Sequence, residues 1–174
     1  MREDFRRTAR RLAIVAATAA WLAGSARSAV ADAARRTIAI ADFSYVDTSG
    51  EQRDQSGDHA ARLAAFTAAL KADLAARQTW RVVAMECDGP CQVADMPASQ
   101  LLAAARRAGA NILLIGGIHK MSTLVQWAQI KAIDADSGSP LIDKLFTFRG
   151  DTDEAWRRAE AFVAGELSNV AAPQ

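Results

Sequence analysis

A chain of 174 residues, 51% of them hydrophobic, is long enough to bury a core of its own, and 21 basic against 20 acidic side chains leave it almost neutral. Six of the arginines but only two of the acidic residues fall in the first 31 positions, so the remainder carries 15 basic and 18 acidic side chains, a net charge near −3. A mildly acidic body without a basic stripe argues against nucleic-acid binding and against electrostatic docking to anionic lipid.

The amino terminus explains the imbalance. Arg2, Arg6, Arg7, Arg10 and Arg11 form a basic head, and Leu12 to Gly24 is a run of 13 residues without a charge. The segment SARSAVADA that follows offers small-residue cleavage sites after Ala31 and, next best, after Ala33. This order predicts a secretory signal peptide over 1–31. The run is shorter than the ~20 residues a spanning helix needs, so no stable membrane insertion is expected after cleavage. No cysteine lies near the cleavage site, which argues against a lipid anchor. The expected product is a periplasmic protein: a short linker at 32–36, one domain over 37–170, and a disordered tail at 171–174.

Within the domain, strands and helices alternate. TIAIADFSYVD (37–47) reads as a strand with Ile38, Ile40 and Phe43 inward, and the polar stretch 48–58 as an exposed loop. Asp58 is placed to cap a helix over 59–78, in which Leu63, Phe66, Leu70 and Leu74 form one apolar stripe. WRVVAME (80–86) is a second strand. Ser99 is placed to cap a short helix that ends at Gly109, a residue suited to the left-handed conformation of a helix terminus. NILLIGGIHK (111–120) is apolar enough to be buried on both faces. Then Leu124, Gln126, Ala128 and Ile130 alternate with Val125, Trp127, Gln129 and Lys131, SGSP turns the chain, and LIDKLFTFRG returns as the partner of a hairpin. A last helix follows, capped by Asp151 or Thr152, with Trp156, Ala159, Phe162, Val163 and Leu167 on one face. The order β-α-β-α-β-β-β-α predicts an α/β (α+β) sandwich of two or three layers around a mixed five-stranded sheet.

That order, together with ARRAGANILLIGGI, resembles the α/β domain at the amino terminus of TolB, the core of the curli secretion protein CsgG, and the lipoprotein activators of penicillin-binding proteins. HKMSTLVQWAQIKAIDADSG and FTFRGDTDEAWRRAEAF look like an uncharacterised family of exported alphaproteobacterial proteins. The resemblance covers roughly 37–170. It implies a module that binds other envelope proteins without catalysis, and it carries over no functional residue.

The residues able to do chemistry are few. Cys87 and Cys91, the only cysteines, bracket Asp-Gly-Pro. Three chemistries fit the pair. An exported C-x-x-x-C is first a disulfide staple. It also resembles the ligand pair of Sco-type copper chaperones, with His119 as a third ligand. Thiol exchange is a third use, although that chemistry favours C-x-x-C at a helix start. His119, Lys120, Trp127 and Arg149 sit where a strand end and the hairpin would offer a partner surface, and a small-ligand carrier would need a pocket at Gly116–His119. Neither histidine has a nucleophile and acid arranged around it in the sequence, and no nucleophile elbow occurs. The expected function is therefore that of a non-enzymatic accessory protein without a cofactor that engages an envelope protein. A copper-binding or thiol-redox accessory role is the alternative.

Overall fold

The computed structural model describes residues 36–171, with side chains as far as Asn169. The signal peptide expected over 1–31 lies outside them, as do the linker up to residue 35 and the tail beyond Ala171. Arg36, assigned to the linker, already belongs to the first strand.

Six strands and three helices follow in the order β1 (Arg36–Ile40), β2 (Ser44–Asp47), α1 (Ser56–Ala76), β3 (Trp80–Val83), α2 (Ala98–Arg107), β4 (Ile112–Lys120), β5 (Val125–Asp134), β6 (Pro140–Arg149) and α3 (Asp153–Ala171). They build one mixed sheet in the order β3-β1-β4-β5-β6, with β2 also lying along β4. β3, β1 and β2 run parallel to their neighbours, whereas β4, β5 and β6 are antiparallel. The α/β class and the hairpin are as expected. The strand count is not, because the stretch 37–47 is broken at 41–43.

The break has a readable cause. Ile40 pairs with Leu114 and Ser44 with Gly117, so three residues on one side face two on the other. The extra residue reverses the alternation, and Tyr45 rather than Ser44 turns toward the side occupied by Ile38 and Ile40. Phe43 fills the space left by Gly116, where a Cβ would lie 2.6 Å from the Phe43 ring and 2.7 Å from the Gln129 carbonyl oxygen. A Cβ on Gly117 would meet the Ser44 hydroxyl at 2.5 Å. The glycine pair thus admits the bulge of the neighbouring strand.

Three layers result. Against one face lie α1 and α3: Phe66, Leu70 and Leu74, with Trp156, Val163 and Leu167, close over Ile38, Ile112, Leu114, Ile118 and Ile130. Against the other lies α2, whose Leu101 and Ala105 cover Ala39, Ala41 and Leu113. Gly109 ends this helix with φ of +75°. Two capping expectations are corrected. α1 starts earlier, because Asp54 accepts the Ser56 N–H at 2.9 Å, and Asp58 falls inside the first turn. α2 starts directly after Pro97, whose carbonyl accepts from Gln100 and Leu101, so Ser99 is an ordinary first-turn residue. At α3 it is Thr152 that caps, its hydroxyl accepting the Ala155 N–H at 3.3 Å.

Candidate functional site

Freed from capping, Asp151 is the centre of a buried ionic network on the α1–α3 side of the sheet. The parity of β4 puts Lys120 on the same face as Ile112, Leu114 and Ile118, and its side chain is 0% exposed. Its ammonium donates to Asp151 Oδ2 at 2.7 Å and Glu51 Oε2 at 2.5 Å, with Gln55 Oε1 at 3.4 Å. His59 Nε2 donates to Asp151 Oδ2 at 2.8 Å. Arg62 donates to Asp151 Oδ1 at 3.0 Å and, through Nε, to Asp153 at 2.8 Å. Gln126 donates to the Gly150 carbonyl at 2.9 Å and to Asp151 Oδ1 at 3.3 Å. The knot therefore joins the loop after β2, the start of α1, the end of β4, the start of β5 and the turn into α3.

Electrostatics follow from the geometry. Burial works against the Asp151 carboxylate, but hydrogen bonds from Lys120 and His59 and their charge hold it below the ordinary carboxylate value. Burial likewise opposes the Lys120 cation, and the hydrogen bonds to Asp151 and Glu51 more than offset it, raising the ammonium above its usual value. Burial, then the charges of Asp47 and Asp151, push the Tyr45 hydroxyl up. Its ring packs 4.7 Å from His59, which in turn stacks 6.4 Å from Trp156. An ion set with this many mutual partners orients elements; its cation and its central carboxylate are already engaged.

The opposite face is built differently. α2 and the cysteine loop cover β3, β1 and the first half of β4. Beyond them the second half of β4, with β2, β5 and β6, faces a groove of about 500 Å³ lined by Val46, Val93, His119, Trp127, Gln129 and Leu145. Val46, Val93 and Leu145 are 50%, 46% and 55% exposed. His119 shares a hydrogen bond of 2.8 Å with the Thr48 hydroxyl and meets the Trp127 ring edge-on at 6.0 Å.

Cys87 and Cys91 are joined by a disulfide, with Cα atoms 5.6 Å apart. The loop packs with Met85 and Met96 on the α2 side, and the Cys91 carbonyl accepts the Asp42 N–H at 2.8 Å, bracing the break between β1 and β2. Cys87, Cys91 and His119 are not brought together: among the described residues no group of three or more His, Cys, Asp or Glu side chains is arranged to hold a metal ion. Of the four residues expected on a partner surface, His119 and Trp127 line the open groove and Arg149 is exposed on the same face of β6. Lys120 is the correction: one position from His119, it points the other way and is buried. Glu51, His59, Arg62, Gln126 and Asp151 were not singled out as a set. Their signal lay in parity, since Lys120 and Gln126 occupy inward positions of otherwise apolar strands and His59 extends the stripe of Leu63, Phe66 and Leu70 by one turn. Buried polar groups at such positions require partners.

A family model described as "Protein of unknown function (DUF2380)" matches residues 36–166. Among solved structures the fold is similar to TolB from Acinetobacter baumannii, at 12% identity and a TM-score of 0.50 over 78% of this chain, although this covers only 28% of that protein. It is also similar to lipoprotein GNA1162 from Neisseria meningitidis (13% identity, TM-score 0.48, 76% of this chain and 96% of that one). A third is the LpoB C-terminal domain from Salmonella enterica (12%, 0.45, 66% and 82%). At these identities the likeness is one of fold. Among curated proteins, none matches the chain in sequence.

Proposed function

We propose that this chain, which belongs to the DUF3280 family of proteins of unknown function, is an exported, non-enzymatic accessory protein that engages another envelope protein. The observation that carries the reading is the half of the sheet left open among the described residues, where Val46, Val93, Trp127 and Leu145 present apolar surface between polar neighbours. Such a surface rimmed by polar groups is what protein partners use. Supporting it, Lys120, His59 and Asp151 are committed to one another, and His119 to Thr48. Among the described residues no helix is long and apolar enough to cross a membrane. The disulfide fits an oxidising compartment, and the periplasm, reached through a signal peptide over 1–31, is the compartment we assign. The resemblance to the TolB amino-terminal domain and to the penicillin-binding protein activators points the same way.

The test is recovery of a partner from envelope extracts by the mature chain and by Leu145→Asp. The reading expects a specific envelope protein to be retained by the first and lost by the second, with unfolding free energies within about 0.5 kcal/mol of each other, as for a surface change. Extracts that yield no partner, while a metal co-purifies stoichiometrically, would overturn it in favour of a copper-handling role.

A further inference from the structure

The helical layer holds a second groove, separate from the open sheet face and independent of the function proposed for it. Between α1 and α3 an opening of about 530 Å³ is bounded by Phe66 and Trp156 and by Ala61, Ala65 and Ala69, which recur every fourth residue along α1. Glu160 lines it as well. This side chain is 4% exposed, and its Oε1 is buried without a hydrogen-bond partner among the described residues. The arginines nearby are engaged elsewhere: Arg62 by Asp151 and Asp153, Arg77 by the Ser168 hydroxyl at 2.6 Å, and Arg157 by Glu154. A buried carboxylate without a hydrogen-bonded cation is costly: it either takes up a proton or meets a cation from outside the chain.

We propose that this groove is a docking site for a partner protein that inserts a lysine side chain, with its methylenes along the alanine row and Trp156 and its ammonium on Glu160. Three features select that occupant. The alanines leave room for an apolar stem and for close approach of the backbone that carries it. One unsatisfied buried oxygen suits a point-like ammonium better than a two-pronged guanidinium. The opening has the size of a ligand site, within roughly 300–1,000 Å³. The charged groups around Glu160 are Asp58, Arg62 and Asp73 from α1, Arg77 just past its end, and Asp153 and Arg157 from α3. Burial, then the charge of Asp73, raise the Glu160 carboxyl to about 7 against the opposing effect of Arg77. The carboxylate that receives the ammonium therefore forms as pH rises through 7, and binding strengthens in that direction.

The probe is n-butylammonium, which reproduces the lysine side chain, titrated into the mature protein and followed by the NMR signals of the Trp156 indole and the Ala65 methyl. We expect saturable shifts that are roughly tenfold weaker with n-butanol and that tighten between pH 6 and pH 8. Glu160→Gln removes both the preference for the cation and the pH dependence while the rest of the spectrum is retained. Ala65→Leu fills the groove without touching Glu160 and blocks both probes. The proposal is overturned if no saturable shift occurs at these residues, if butanol binds as well as butylammonium, or if Glu160→Gln binds the cation as the parent does.

Discussion

His119 and Lys120 are consecutive in the chain and opposite in circumstance. The period of two along β4 sends Lys120 into the layer under α1 and α3, where every donor finds an acid or an amide, and sends His119 to the face that α2 leaves open, where a threonine and a tryptophan edge are its partners. One face of the sheet is closed by two helices and locked by charge. The other is closed only in part, by a short helix and a cross-linked loop. Residue type alone does not separate a structural group from an available one; parity along the strand and the cover over that half of the sheet do.

The contrast can be broken most forcefully at Asp151. Asp151→Ala leaves the buried Lys120 ammonium with Glu51 and Gln55 alone and takes the shared acceptor from His59 and Arg62, and it should lower the unfolding free energy by about 3–5 kcal/mol in denaturant titration. Lys120→Met in the same chain should return part of the loss, because the buried and now incompletely paired charge goes with it. A double variant no more stable than Asp151→Ala alone would show that the charge is not what the pocket is built around. The pH dependence has a fixed sign. With its folded value depressed, Asp151 stabilises the fold above the ordinary carboxylate range, ~4, and this contribution is lost as pH falls through the lower folded value. Asp151→Asn should flatten that acid limb. Next in size is Gly116→Ala, for which Phe43 and the Gln129 carbonyl must give way, at about 1–3 kcal/mol in the same titration. On the partly closed face, replacing Cys87 and Cys91 together by serine should cost about 2 kcal/mol, the value for so short a loop. The NMR signals of Phe66 and Trp156 should stay in place. Broad changes there would mean that the two faces are not independent.

Much of the architecture was written in periodicity. The stripe Leu63–Leu74, the alternation through Trp127 and Ile130, and the apolar run before the glycine pair place α1, the hairpin and β4 within a few residues of their observed bounds. The break at 41–43 was not legible, because one surplus residue against a neighbouring strand is a property of the pair rather than of either sequence. Capping failed at Asp58 and Ser99 for a local reason: Asp54 and Pro97 begin their helices first. The ionic network was half legible. Lys120 and Gln126 stood at inward positions, but that Asp151 would answer them depended on Thr152 taking over the cap.

The knot around Asp151 also has a bearing on time. His59 and Asp151 lie 92 positions apart, and Glu51 and Lys120 lie 69 apart, so none of these bonds can form within a local segment. A chain still lacking its last helix has an ammonium to bury and no Asp151 to meet it. Contacts of such long range are slow to make, and here the final one comes from the end of the chain. Folding of this layer is therefore expected to wait for the segment from Asp151 onward, and fragments that stop short of residue 151 should remain open and sensitive to protease.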